Sequence, residues 1–398
     1  MPGGGSSSPR LADVVAVLDR LYDPAWAEPW DAVGLVTGDP EASVRRVLFA
    51  VDPVAVVAEE ALQTGADLLV THHPLFLRPV HGVPATTGKG RLLHRLIAGD
   101  VALHVAHTNA DVANPGVSDA LAATLGISEL RPLAPGPAEP LDKLVTFVPD
   151  ADAERLIDAL AAAGAGGIGR YTRCAWTSSG TGTFRPEPDA TPAIGRPGEI
   201  ERVPETRLEM VLPRPRRAAV VASLRAAHPY EEPAYDVLEL AMPPGERGHG
   251  RVGELPAAQT LRQFLARAAA RLPATVAGVR ALGDPDRTVL TVAVCGGSGD
   301  ALFDDARSAG ADVLLAADLR HHPVSELAEE DGPALVEAAH WATEWPWLTA
   351  AAELLRSELA AAGTTVEMVV SGQRTDPWTL HLPSSSEESG STWSTPRR

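Results

Sequence analysis

The chain has 398 residues and a formal charge of −18, with 45% hydrophobic and 22% charged residues, the composition of a globular protein with room for two or three domains. The negative balance disfavours a nucleic-acid-binding face, and no apolar run is long enough to span a membrane. Cys174 and Cys295 are the only cysteines, which excludes a disulfide framework and a cysteine-based zinc site and predicts a cytoplasmic protein.

The N-terminal segment, residues 10–138, predicts an α/β lobe. Apolar residues recur at helical spacing between Arg10 and Tyr22, and a loop around Trp30 leads into a strand. The pattern then predicts a strand at 44–51, a helix at 54–64, a strand at 68–70, a helix at 91–98, a strand at 101–106 and a helix at 118–125. This alternation favours parallel strands joined by right-handed crossovers.

Polar side chains follow two of these strands. The buried-looking run Leu68–Val70 leads to His72, His73 and Pro74, and the next predicted strand leads to His107–Asp111. In open α/β sheets ligands collect outside the carboxyl ends of the strands, and neutral imidazole is the commonest metal ligand. The histidine pair therefore indicates a metal site. The alternative is that His72 caps the strand and His73 hydrogen-bonds a loop.

Residues 139–246 have a different pattern. Four prolines and a glycine between Pro132 and Pro140 predict a domain boundary, and Pro243–Pro244–Gly245 predicts a second one. Between them lie predicted strands at 144–148, 207–212 and 235–240, predicted helices at 151–163 and 216–227, and a stretch rich in Gly, Thr, Ser and Pro at 164–199. The β-α-β-β-α-β-like order predicts a ferredoxin-like α+β domain inserted into the larger one.

The C-terminal segment, residues 247–383, repeats the pattern of the first segment. Gly65–Val70 and Gly310–Leu315 are alike, and each is followed by His-His-Pro, at 72–74 and at 321–323. Such a repeat predicts two related α/β lobes that face each other. Residues 384–398 are rich in Ser and Glu without apolar periodicity, which predicts a disordered tail.

Two further motifs lie in this C-terminal segment. His340 and Glu344 are four residues apart, so a helix would present an imidazole and a carboxylate on one face, as a metal ion requires. The same spacing is common on solvated helix faces, and it gains weight here from the polar clusters at the strand ends. The turn Gly296–Gly299 precedes a predicted helix and either binds an anion through backbone amides or is purely structural.

Taken together and in this order, the motifs resemble those of the GTP cyclohydrolase 1 type 2 homologue family, also called the Ngg-interacting-factor-like family, over residues 10 to 380. Trp30–Leu35 is similar to the family's N-terminal signature, with Ala32 where the family usually has Asn. The insert resembles the PII/CutA-like domain of long-form members, through the segments Gly164–Gly169, Gly180–Phe184 and His228–Asp236.

The resemblance implies a dinuclear metal centre. The positions that match the family's ligands are His72, His73, Asp111, His340 and Glu344, with Glu344 as the bridging and catalytic carboxylate. They would hold two divalent metal ions per chain, and mixed imidazole and carboxylate ligation is compatible with Zn, Fe or Mn. The resemblance also implies a homohexamer with its metal sites facing an internal cavity.

Other polar residues leave alternatives open. His107 either orients Asp111 or is a hydrogen bonder at the end of its strand. Asp318 and His321 match a polar segment near the family's pocket, and Asp31 is similar. A direct catalytic role is the minority hypothesis for each of these three residues.

Two functions follow as hypotheses. The first is a metal-dependent hydrolase acting on a nucleotide or similar small molecule, for which the family name implies water attack on the guanine imidazole ring and release of formate. A phosphorylated small molecule as substrate would need the same ions. The second is a non-catalytic metal-binding or regulatory protein whose insert senses a ligand or partner.

Overall fold

The computed structural model describes residues 8–382, so the tail predicted as disordered at 384–398 lies outside the described part. The chain divides into two compact units, one formed by Met1–Pro135 with Glu246–Arg398 and the other by Gly136–Gly245. Both mix helices and strands, and the predicted α/β class is confirmed. None of the described helices has the length and apolar character needed to cross a membrane.

The N-terminal segment alternates helices and strands as predicted. Its elements are α1 (Leu11–Leu21), β1 (Gly34–Thr37), β2 (Arg46–Ala50), α2 (Ala55–Thr64), β3 (Leu68–Thr71), α3 (Gly88–Ala98), β4 (Ala102–Val105), α4 (Thr108–Val112), α5 (Val117–Leu125) and β5 (Ser128–Pro137). Helix α1 buries Leu11, Val14 and Leu18 on one face because they recur at intervals of three and four residues. Gly65 ends α2 in the left-handed conformation, with φ of 64°.

The insert has the element order β-α-β-β-α-β. Its elements are β6 (Leu141–Pro149), α6 (Ala153–Ala162), β7 (Trp176–Phe184), β8 (Glu201–Pro213), α7 (Arg217–Ala227) and β9 (Tyr235–Glu239). The strands form an antiparallel sheet in the order β7-β8-β6-β9, and both helices pack their apolar residues against it. Strand β7 lies in the Gly/Thr/Ser-rich stretch for which no regular structure is predicted, because pairing with β8 satisfies its backbone whatever its side chains are.

The C-terminal segment follows. Its elements are β10 (Pro244–Thr260), α8 (Leu261–Arg271), β11 (Val279–Leu282), β12 (Thr288–Ser298), α9 (Phe303–Ser308), β13 (Val313–Ala317), α10 (His321–Ala328), β14 (Ala334–Ala338), α11 (His340–Ala361) and β15 (Glu367–Val370).

Two sheets of the larger unit share one arrangement. In the first, with the order β1-β4-β3-β2-β15, strand β1 pairs antiparallel with β4, and β4, β3 and β2 are parallel. In the second, with the order β11-β14-β13-β12-β10-β5, strand β11 pairs antiparallel with β14, and β14, β13 and β12 are parallel. The sequence repeat thus corresponds to two sheets with the same central topology.

The predicted lobes are not separate, because each sheet takes a strand from the other segment. Strand β15 pairs in parallel with β2 of the first sheet, and β5 lies at the edge of the second sheet. Helix α11 also packs with α1 against the first sheet through a core that includes Trp347, Leu348 and Leu355. The N- and C-terminal segments therefore form one compact unit.

Each predicted boundary stretch contains one edge of the compact insert, but both stretches belong to strands. The proline-rich stretch from Pro132 lies largely within β5, and Pro244–Gly245 begins β10. Proline cannot donate to a strand ladder, but an edge strand such as β5 tolerates it where the missing N–H would face outwards. The compact insert is Gly136–Gly245, where the sequence predicts 139–246.

Asp142 is expected to stabilise the insert in a pH-dependent way. Its buried carboxylate accepts hydrogen bonds from Arg217 (2.7 Å) and Arg214 (3.1 Å), and the Arg217 bond lowers the pKa of Asp142. A lowered native-state pKa gives stability that is present above the ordinary pKa of the carboxyl and is lost as the pH falls through the lowered value. Asp142→Asn should therefore raise amide hydrogen exchange in the insert at neutral pH by roughly tenfold, since a hydrogen bond to a charged group is lost.

The measurement is hydrogen exchange of the full-length chain, followed peptide by peptide from pH 7 to pH 3. The difference between the wild type and Asp142→Asn should shrink as the pH falls. Asp236→Asn, at an exposed position of β9, is the matched control and should change nothing. An Asp142→Asn effect that is equal at both pH values would contradict the assignment.

Candidate metal centre

The carboxyl ends of two neighbouring parallel strands supply the first part of the centre. Strand β3 is buried along its whole length and delivers His72 and His73 directly after Thr71. Its neighbour β4 leads to His107 and to the short helix α4, which carries Asp111. Because parallel strands end at the same edge of a sheet, these side chains come together as predicted.

The start of helix α11 supplies the second part. His340 is its first residue and follows β14 after only one linking position, and Glu344 lies one turn later. The predicted i, i+4 pairing is present, with 2.8 Å between His340 Nε2 and Glu344 Oε1. The Glu344 side chain is buried, at 3% exposure, so the solvated-face alternative is wrong for this helix turn.

Glu344 lies at the centre of three imidazoles. Its Oε1 is 2.8 Å from His340 Nε2 and 3.4 Å from His72 Nε2, and its Oε2 is 3.1 Å from His73 Nε2. Asp111 Oδ1 lies 3.6 Å from His72 Nε2 on the other side. Close contacts therefore link all five predicted ligand positions, with Asp111 joined through His72 and the three histidines joined through Glu344.

The opposite nitrogen of each ring faces a hydrogen-bond acceptor. His72 Nδ1 lies 2.9 Å from the carbonyl oxygen of Ala106, His73 Nδ1 lies 2.7 Å from Asp52 Oδ1, and His340 Nδ1 lies 2.7 Å from Asp318 Oδ2. An acceptor at Nδ1 places the ring proton there, which leaves the Nε2 lone pair directed at the centre. Protein metal sites commonly orient their histidines in this way.

The chemistry of this donor set fits a metal ion. Among the described residues, His72 Nε2, Asp111 Oδ1 and Glu344 Oε2 are buried without a hydrogen-bond partner. With the ring protons on Nδ1, the lone pairs of the Nε2 atoms face carboxylate oxygens. Both kinds of atom are acceptors, so a cation is needed between them. The described side chains include two groups of potential ligands whose atoms lie within 4.8 Å of one another: His72, His73 and His107, and His73, His340 and Glu344.

The electrostatics also favour positive charge at the centre. Although burial opposes protonation, the Glu344 carboxylate raises the pKa of His73 to about 11. Burial also opposes protonation of His340, but hydrogen bonds to Asp318 and Glu344 raise the pKa of His340 to about 10. The attraction that would hold protons on these nitrogens is equally available to a divalent cation.

His107 lies beside the predicted ligands His72 and His73, a position that neither interpretation of the sequence predicts. Its ring lies 5.2 Å from that of His72 and 5.5 Å from that of His73, and its Nδ1 is 2.9 Å from Asp31 Oδ1. It has the same carboxylate-backed arrangement as His73 and His340. The sequence signal for His107 as a member of the site is its position four residues before Asp111. The sequence gives no such signal for its partner Asp31, which is 76 residues away in the chain.

The second copy of the His-His-Pro motif has no comparable arrangement. His321 is exposed at the start of α10, and its ring contacts that of the neighbouring His322. Asp318 follows β13 with φ of 50° and supports His340. Asp31 likewise supports His107, so these two carboxylates orient imidazoles.

The glycine-rich segment Gly296–Gly299, predicted as a turn, lies at the end of β12 and packs against the centre. The Gly296 N–H donates to Ser118 Oγ and the Gly297 N–H to Thr343 Oγ1, so these amides are already used and the anion-binding alternative is not supported. Gly297 has φ of 73°, and a Cβ added there would lie 2.7 Å from Glu344 Oε1 and 3.2 Å from His340 Nε2. Only a residue without a side chain leaves these two groups in place.

Gly297→Ala is therefore expected to weaken metal binding by roughly tenfold to a hundredfold, the cost of disturbing the residues around a metal ligand. The measurement is competition with a chromophoric chelator under native conditions. Gly310→Ala is a close control, because Gly310 has φ of 71° but open space at its Cβ position, so it carries the backbone strain without the crowding. Equal metal affinity of the two variants would show that crowding at Gly297 is unimportant.

The centre opens into a pocket of about 720 Å³. Its lining includes His73 and His340 of the centre, together with Arg280, Asp376 and Trp378. Sites for small molecules and cofactors commonly have volumes of about 300–1,000 Å³. The pocket can therefore hold a molecule of nucleotide size beside the imidazoles.

Comparison with known sequences gives consistent relatives. The profile of the family described as Duf34/NIF3 (NGG1p interacting factor 3) matches residues 9–377. A Mycobacterium tuberculosis protein named GTP cyclohydrolase 1 type 2 homolog is 50% identical over 374 residues, covering 94% of this chain and 97% of that protein. A Streptomyces coelicolor protein of the same name is 41% identical over 376 residues, covering 94% and 96%.

Solved structures agree with the fold. The crystal structure of a Bacillus cereus protein related to NIF3 has a TM-score of 0.76 at 36% identity, covering 94% of this chain and all (100%) of that chain. A Staphylococcus aureus protein has a TM-score of 0.82 at 26% identity, covering 94% and 99%.

Proposed function

The chain belongs to the Duf34/NIF3 family, and we propose that it is a metal-dependent hydrolase acting on a nucleotide-like small molecule. The observation that carries the proposal is the buried Glu344 carboxylate, on which the Nε2 atoms of His72, His73 and His340 converge. The pocket beside it and the shared name of the relatives support a substrate of nucleotide size.

Two divalent ions would be held by His72, His73, Asp111, His340 and Glu344. The two oxygens of Glu344 face different imidazoles, which suits a bridging carboxylate. His107 is a further candidate ligand because it clusters with His72 and His73. When bound, such ions act as Lewis acids that activate water and stabilise developing negative charge.

The residues around the centre have separable tasks. Asp52, Asp318 and the Ala106 carbonyl fix the tautomer and orientation of the three imidazoles. Trp347 packs its ring 5.3 Å from that of His72 and closes the inner side of the centre with apolar surface. Water and substrate therefore reach the centre from the side of the pocket, where His73 and His340 are partly exposed.

The test combines elemental analysis of protein purified without added metal with a GTP turnover assay that detects formate. Two equivalents of metal per chain with formate release would support the proposal. Two equivalents without formate release would remove GTP as substrate, and failure to turn over a panel of phosphorylated metabolites as well would favour a non-catalytic metal-binding protein. Metal content near zero after reconstitution would overturn the ligand assignment.

A further inference from the structure

One acidic group in the pocket beside the candidate metal centre keeps an unpaired oxygen among the described residues. Asp376 is 8% exposed and lines the pocket, and its Oδ2 has no hydrogen-bond partner among the described residues. A buried acceptor left unpaired costs free energy, so a donor is expected to arrive from a ligand.

The other carboxylates that line the pocket are already engaged. Asp52 contacts His73 and accepts the Thr375 hydroxyl, Asp318 contacts His340, and Glu337 pairs with Arg280. Because Glu337 neutralises the charge of Arg280, this part of the pocket lining attracts an anionic group only weakly. The free oxygen of Asp376 selects instead for an N–H or O–H donor.

An aromatic side chain lines the same pocket as that oxygen. Trp378 follows two residues after Asp376, lines the same pocket and is 66% exposed, so its indole is available for stacking. Most large apolar side chains are buried, and an exposed tryptophan in a pocket is a good platform for a flat ring. A carboxylate beside an aromatic face is a common way to bind a base by its donor edge and by its ring.

We propose that Asp376 and Trp378 form a recognition subsite for a planar nitrogen heterocycle with N–H donors, such as a purine base. The inference builds on the proposed function by specifying which part of its substrate is recognised here. The heterocycle stacks on Trp378 and donates to Asp376 Oδ2, and any anionic part of the molecule points towards the His73 and His340 side. Guanosine is a suitable probe, because it offers adjacent ring N–H and amino donors without a phosphate that would bind metal.

The experiment is calorimetric titration of the full-length protein with guanosine, in the metal-loaded form and after treatment with a chelator. Asp376→Asn keeps the shape but loses the charge, and it should weaken guanosine binding by roughly tenfold to a hundredfold, since a hydrogen bond to a charged acceptor is replaced. Trp378→Leu should weaken it by roughly tenfold through loss of stacking. D-ribose, which lacks the base, should not bind.

Asp331→Asn, at an exposed position outside the pocket, is the matched control and should bind guanosine like the wild type. Circular dichroism and metal content establish that each variant is folded, and the Trp378 variant tests the subsite even if the Asp376 variant misfolds. Absence of guanosine binding, or binding that both variants leave unchanged, would overturn the subsite. Its failure is distinguishable from failure of the hydrolase proposal, because the chelator-treated protein reports on guanosine alone and metal content reports on the centre.

Discussion

Glu344→Gln is expected to abolish stable metal binding. Glutamine keeps the shape of the side chain but removes the negative charge that lies among the Nε2 atoms of His72, His73 and His340. Residues that only orient metal ligands typically contribute 10–100-fold to affinity, so a central ligand should contribute roughly 100-fold or more. Metal retained after dialysis, measured by mass spectrometry, should fall from two equivalents to well below one, and any turnover should be lost with it.

The control for this variant lies on the same helix. Glu353 is exposed and pairs with Arg356, so Glu353→Gln removes the same charge from α11 without touching the centre. It should retain the metal content of the wild type. Full metal occupancy in Glu344→Gln would remove Glu344 from the ligand set.

Arg251→Met is expected to destabilise the larger unit by about 3–5 kcal/mol, the usual cost of removing one partner of a buried ion pair. Arg251 is 1% exposed and pairs with Asp119, 2.8 Å from its Nη2. It also donates to the carbonyls of Gly248 and Gly250, at 2.7 Å each, and to that of Ala113, all of which would lose a donor. Urea unfolding of the full-length chain, followed by tryptophan emission, measures the change.

A second variant separates the charge effect from the packing effect. The double variant Arg251→Met/Asp119→Asn no longer contains the unpaired carboxylate of Asp119. It should therefore recover part of the stability that Arg251→Met alone loses. Arg262→Ala, at an exposed position of α8, should stay within about 0.5 kcal/mol of the wild type, as most surface substitutions do. A single Arg251 variant as stable as Arg262→Ala would mean that the buried pair contributes nothing.

The parts of the centre that could be predicted from the sequence are those encoded locally. His72 and His73 are visible because an apolar strand and a proline frame them, and His340 and Glu344 because helical spacing puts them on one face. Their supporting carboxylates were not predicted as partners. Asp52 reaches His73 across 21 residues and Asp31 reaches His107 across 76, and no local pattern records such contacts.

The fold likewise contains elements that local sequence patterns predict and elements that depend on distant parts of the chain. The buried central strand β3 was predicted well because its apolar run is compact and ends at a polar turn. Two edge strands were missed: β5 contains several prolines, and β7 is rich in Gly, Thr and Ser. Such strands are defined by the neighbour that they pair with, so their own composition resembles that of a loop.

The exchange of β5 and β15 between the two sheets also constrains the order of folding during synthesis. Strand β2 has β15 as its outer neighbour, and β15 begins 321 positions after the corresponding residue of β2, Glu367 against Arg46. Until the ribosome has released residue 370, the first sheet has an open edge of the kind that pairs readily with other chains. Strand β15 therefore closes the first sheet on the side of β2, and a growing chain that lacks β15 leaves that side of β2 unpaired.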